Sequence, residues 1–292
     1  MSRLLLKRLA VVTVAVMSLG IMDSKAGVLF SDGFESGDFS HKENGFVWGE
    51  SNTGGGTALV AITAAPDKST PHSMLLRYDG NGTPNSWTEK RISWTSNPQT
   101  ELWVKFSLWV PSGFTVPDYG SARNNKFFSI YNGDYSSNFQ VRFETNYPLT
   151  SKFGSTDLAD IELKFMNKGT EQPYFDHIAP IVTKSDLGKW TEIIMHFKTT
   201  SKVGSADGVV EMWKNGTKIF SRSDIAMSGV SGYNYMDGAY LLGWSNSGFA
   251  SDLDFYMDNV VFSNTAITPG AATTTTSPPM APVIDATVEY NK

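Results

Sequence analysis

Between residues 28 and 263 the chain alternates apolar and polar positions in short runs, the period of two that marks a strand with one buried face. In the clearest run, Leu102, Val104, Phe106, Leu108 and Val110 fall on one side and Trp103, Lys105, Ser107 and Trp109 on the other. Comparable runs occupy 28–34, 73–78, 87–94, 126–131, 139–144, 160–166, 190–198, 209–214, 217–221, 239–244 and 253–263. No stretch of ten or more residues holds a helical period. Val209 to Phe220 predicts a hairpin turning on Asn215-Gly216, a dipeptide suited to a type I′ turn. About a dozen short strands with turn residues between them predict an all-β, antiparallel two-sheet sandwich of the jelly-roll type. Residues 44–57, with Gly54 to Gly56, and residues 167–188 carry no strand pattern and read as long loops. Long loops in compact domains often hold functional groups.

The two ends of the chain differ from this pattern. Arg3, Lys7 and Arg8 precede an apolar run from Leu9 to Met22 and the small-residue site Ser24-Lys25-Ala26. That order predicts a signal peptide over 1–26, cleaved after Ala26, because the run is shorter than the roughly 20 apolar residues of a membrane span. The body is then one domain over 27–267, secreted or periplasmic and free of the membrane after cleavage. From Thr268 to Lys292 the chain turns to Pro, Ala and Thr and reads as a flexible tail or linker.

Composition narrows the chemistry. With 40% hydrophobic and 13% aromatic residues the chain can bury a large core. It has no cysteine, which excludes disulfides, thiolate metal sites and thiol redox chemistry. The net charge is -5, and no cluster of Lys and Arg interleaves with aromatics. Both features argue against a nucleic-acid partner, while a local basic groove for an acidic polysaccharide is compatible with them.

Three patterns add a resemblance. Ser31-Asp-Gly-Phe-Glu-Ser-Gly37 stands at the first strand, Lys189-Trp190 and Asp207-Gly208-Val-Val-Glu211-Met-Trp213-Lys-Asn215-Gly216 lie in the middle, and Tyr256-Met-Asp258-Asn259-Val260 closes the pattern. Together they resemble the concanavalin-like (laminin-G-like) jelly rolls found among secreted polysaccharide lyases, glucanases and lectins. The resemblance implies that the terminal strands lie side by side, so that Asp32, Glu35 and Asp258 can ligate a structural calcium ion through oxygen. It requires no other cofactor.

For an enzyme of this kind the resemblance implies β-elimination on a uronate-containing glycan. A cation neutralises the uronate carboxylate, and a second group exchanges the C5 and leaving-oxygen protons. Arg142 and Glu144 resemble the Arg-x-Glu element of alginate-lyase-like enzymes. Arg142 is then expected to neutralise the carboxylate, Glu144 and Lys164 to position it, and Tyr174, His177, His196 or Tyr131 to move the proton. Trp103, Lys105, Trp109, Lys126 and Gln140 are the candidate sugar contacts. The Gln-Ile-His triplet of those enzymes is replaced by Lys126-Phe-Phe-Ser-Ile-Tyr131, and the Glu-x-Asp-x-x-Glu pattern of the glucanases does not occur. A sugar-binding module without catalysis is the alternative, with a glycoside hydrolase third. Each charged candidate also has a plain structural role open to it, as a cross-strand ion pair.

Overall fold

A computed structural model describes residues 27–54, 56–80, 86–114, 124–133, 139–146, 157–167, 170–227, 234–246 and 248–270. The expected signal peptide, and the expected tail beyond residue 270, lie outside the described residues. The strands are β1 (Val28–Asp32), β2 (Lys42–Glu43), β3 (Phe46–Gly54), β4 (Leu59–Thr63), β5 (Ser73–Tyr78), β6 (Ser86–Ser93), β7 (Glu101–Trp109) and β8 (Asn124–Asn132). They continue as β9 (Phe139–Asn146), β10 (Asp157–Asn167), β11 (Thr170–Thr183), β12 (Trp190–Lys198), β13 (Gly208–Lys214), β14 (Thr217–Ile225), β15 (Gly238–Ser245) and β16 (Leu253–Ser263). No helix among the described residues is long and apolar enough to cross a membrane.

These strands form two antiparallel sheets. The first has the order β14-β13-β12-β7-β16-β5-β4, with β1 also paired to β16. The second has the order β11-β10-β9-β8-β15-β6-β3-β2. Alternation decides what lies between them. Leu102, Val104, Phe106 and Leu108 of β7 are buried, as are Ile193, Met195 and Phe197 of β12. From the second sheet Phe128, Ile130, Val141, Phe143, Ile161, Leu163 and Leu241 meet them. Rings interlock across the layers, with Phe128 5.8 Å from Phe197 and Phe46 5.4 Å from Phe262 between centroids. Such aromatic packing gives a sandwich core most of its apolar area.

Both stretches read as long loops prove to contain strand. Residues 46–54 form β3, which pairs with β6, and residues 170–183 form β11, which pairs with β10. The sequence hides β11 because Pro173 and Pro180 interrupt its alternation and its register with β10 shifts repeatedly. Proline cannot donate to a ladder and is tolerated in a strand at a sheet edge, where β11 lies.

The predicted hairpin forms between β13 and β14, with Lys214 opposite Thr217. Asn215 and Gly216 have φ of 46° and 80°, the left-handed pair that a type I′ turn requires. A Cβ on Gly216 would meet no atom within 4 Å, so alanine there strains the backbone alone. Gly216→Ala is expected to lower the unfolding free energy by about 1–2 kcal/mol in urea titration without changing the far-ultraviolet dichroism.

Candidate functional site

The outer face of the second sheet carries charge in register. Because Val141, Phe143 and Thr145 of β9 turn inward, Arg142 and Glu144 turn outward. Across the ladder Lys164 of β10 lies opposite Arg142, and Glu162 opposite Glu144. On the other side Ser129 lies opposite Arg142 and Lys126 opposite Glu144 in β8. Tyr240 of β15 continues the first row opposite Ser129, and Arg91 of β6 ends it. One row therefore runs Lys164, Arg142, Ser129, Tyr240, Arg91. The next holds Glu162, Glu144 and Lys126, with Glu89 beyond β15.

These groups are buried and held together. The Arg142 Nε lies 2.5 Å from a Glu144 oxygen, and the Lys164 Nζ lies 3.0 Å from Glu144 and 3.2 Å from Glu162. Arg91 pairs with Glu89 at 2.6 Å and with Glu50 at 2.8 Å. Burial raises the Glu144 carboxyl, but the Arg142 and Lys164 charges outweigh it and hold the group below the usual carboxylate range. Burial, reinforced by a hydrogen bond with Glu144, pushes Glu162 up to about 7. Complete burial raises the Tyr240 phenol as well, so it stays protonated.

Lys126 differs from its neighbours. Among the described residues its ammonium has neither a hydrogen bond nor an ion pair, and burial together with the Arg142 charge lowers its proton affinity. A glycine makes room beside it, and a second makes room for Tyr131 further along β8. A Cβ on Gly243 would fall 3.1 Å from the Lys126 Cβ and 3.2 Å from the Tyr240 ring. A Cβ on Gly238 would fall 2.4 Å from the Tyr131 ring, which lies across that glycine.

The candidates do not all meet here. Arg142, Glu144, Lys164 and Lys126 share this face, and Gln140 lies opposite Tyr131 in β9, its side chain outside the described residues. Tyr174 and His177 were expected in a loop, but their backbones lie in β11; their side chains are outside the described residues. His196, Trp103, Lys105 and Trp109 lie on the outer face of the first sheet, on the far side of the core. The odd and even positions of β7 and β12 send Val104 and Met195 inward, which forces Trp103 and His196 outward on the wrong sheet for a shared groove. Tyr240, Glu89 and Arg91 were not singled out from the sequence, although Trp87, Glu89 and Arg91 alternate with Thr88, Lys90 and Ile92 as plainly as the Arg142 strand does.

On that first-sheet face His196 has a complete structural occupation. Its Nδ1 lies 2.9 Å from Glu211 and its Nε2 3.0 Å from Glu101, while its ring stacks on Trp103 at 4.2 Å. Lys105 pairs with Glu192 at 3.1 Å, and Trp109 packs edge-on against Trp190 at 5.6 Å.

The terminal strands do lie side by side, with Asp32 opposite Val260. Asp258 senses both Glu35 and Asp32, and burial pushes it up to about 6. Asp32 already accepts hydrogen bonds from the Trp48 indole at 2.6 Å and the Phe34 backbone at 2.7 Å. Among the described residues no three His, Asp or Glu side chains are grouped so as to hold a metal ion.

No protein-family model matches the sequence, and no curated protein does. Solved structures do match the fold. An alginate lyase of a Chlorella virus has a TM-score of 0.57 at 11% identity, covering 82% of this chain and 100% of that one. The endo-β-1,4-glucuronan lyase of the fungus Trichoderma reesei has a TM-score of 0.56 at 12% identity, covering 84% and 100%. A mutant alginate lyase in complex with alginate trisaccharide has a TM-score of 0.53 at 12% identity, covering 74% and 88%. At these identities the likeness is one of fold: the chain has the jelly-roll sandwich of the polysaccharide lyases.

His196→Ala removes a link that joins β7, β12 and β13 and leaves two glutamates facing each other. It is expected to cost about 1–3 kcal/mol in urea unfolding, since hydrogen bonds to charged groups have that size. An unchanged unfolding midpoint would contradict the structural role.

Proposed function

We propose that the protein is an exported polysaccharide lyase that cleaves a uronate-containing glycan by β-elimination on the outer face of the second sheet. The observation that carries this reading is Lys126, a sequestered amine without a salt bridge among the described residues, beside Arg142 and Tyr240. The lyase-like fold supports it, and the signal-like order of residues 1–26 supports export.

The chemistry follows from those positions. A uronate carboxylate near Arg142 and Lys164 has its charge neutralised, which acidifies the C5 proton and stabilises the enolate-like intermediate. Lys126, in its deprotonated form, takes that proton. The freed electron pair forms the C4–C5 double bond, and the C4–O bond to the leaving sugar breaks. The Lys126 ammonium so formed gives that proton to the leaving oxygen, which restores the amine. Tyr240, 1% exposed, packs beside Lys126 across Gly243. The hydrolase alternative loses support at this face, because Glu144 and Glu162 are both engaged by the Lys164 ammonium, at 3.0 Å and 3.2 Å.

The mature protein is expected to release products with the ultraviolet absorbance of an unsaturated uronate from at least one of alginate, glucuronan, pectate or a glycosaminoglycan. Lys126→Met should lower kcat by about 10²-fold or more with binding retained. Because burial lowers the proton affinity of Lys126, kcat of the wild type at saturating substrate should rise with pH and level off below the usual lysine range. Binding to these polymers without product from any of them would replace this reading with the sugar-binding module.

A further inference from the structure

Glu144 and Glu162 stand directly opposite each other in the β9–β10 ladder, 2% and 4% exposed. Like charges in that position repel, and burial removes the water that would screen them. Their carboxyl groups are nevertheless drawn together, since the one Lys164 ammonium lies within 3.2 Å of an oxygen of each. An ionised carboxylate only accepts, so two buried carboxyl groups held this close are relieved of their repulsion when one of them carries a proton. Lys164 bridges the pair, 3.0 Å from one partner and 3.2 Å from the other, and Arg142 adds its charge to the Glu144 side alone. This asymmetry leaves the proton on Glu162.

We propose that Glu144 and Glu162 share a single proton and that its loss weakens the hold of this face on a uronate carboxylate, which makes Glu162 a positioning residue acting through Lys164 and Arg142. The shared proton rests on the register, the burial and the common Lys164 contact of the two carboxyl groups; its effect on the substrate rests on the lyase reading. The charged groups that face Glu162 are Arg142 and Glu144 from β9, Asp160 and Lys164 on its own strand, and Lys126 from β8 beyond β9. From β11 the register shift places Asp176 to Ile178 opposite Glu162, with the side chains of Asp176 and His177 outside the described residues.

The sign follows directly. Glu162 is pushed up to about 7, so below neutrality the pair carries one negative charge and above it two. The added charge sits between the cations that would hold the substrate anion. Affinity for an oligouronate should therefore fall as pH rises through neutrality.

Two measurements on the full mature protein test this separately. In carbon-13 NMR of glutamate-labelled protein without ligand, one carboxyl resonance should titrate near neutrality and be missing from Glu162→Gln. If no glutamate carboxyl titrates there, the shared proton is overturned. In calorimetry with oligosaccharides of alginate and of glucuronan, the Kd of the wild type should rise by about threefold or more across neutrality. The Kd of Glu162→Gln should stay at the acid-side value of the wild type. A wild-type Kd that does not change with pH, beside a titrating carboxyl, overturns the positioning role while lyase activity still stands on product formation. Failure of both oligosaccharides to bind at any pH overturns the positioning role and counts against the lyase reading, while the NMR result decides the proton by itself.

Discussion

The ammonium of Lys164, lying between Glu144 and Glu162, is the contact on which the charged face depends. A sandwich has to bury one face of each sheet, and the other face is free to carry polar groups. In the second sheet those outward groups are themselves almost sealed from water, which is costly for a charge unless it is paired. The β9–β10 register supplies the pairing by setting Lys164 against Arg142 and Glu162 against Glu144, so that each cation touches a carboxylate one row away. A slip of one residue in either strand would turn that strand's charged side chains into the apolar core and break the pairing. Fold and site are thus held by the same register.

Against that paired background Lys126 stands out. The alternation of β8 is broken between Lys126 and Phe128, so that Phe127 and Phe128 are both buried while Lys126 joins the outer row. Gly243, with φ of 143°, clears the space beside it. The local irregularity and the glycine together place an amine where its neighbours are already committed to one another. That arrangement favours a proton-transfer role over a structural one.

Much of the fold was legible in the sequence because strand alternation and turn chemistry are local signals. The run from Leu102 to Val110 and the Asn215-Gly216 turn could be read residue by residue. The strand β11 could not, since an edge strand with two prolines lacks the pattern that marks a buried one. The site was legible only in part for a different reason. Alternation tells which residues of a strand share a face, and it joined Arg142 to Glu144. It says nothing of which sheet a strand enters, so His196 and Trp103, on β12 and β7, were grouped with residues on the far side of the core. Tyr240, Glu89 and Arg91 come to the site by way of strand order, which only the assembled sheet reveals.

Whether the glycan is held on the outer face of the second sheet is decided most directly by a crystal structure of Lys126→Met with a bound oligouronate. The expected result is a uronate carboxylate against Arg142 and Lys164, with C5 directed at position 126. A sugar seated instead on the Trp103 and His196 face of the first sheet, with the second-sheet face bare, would contradict it.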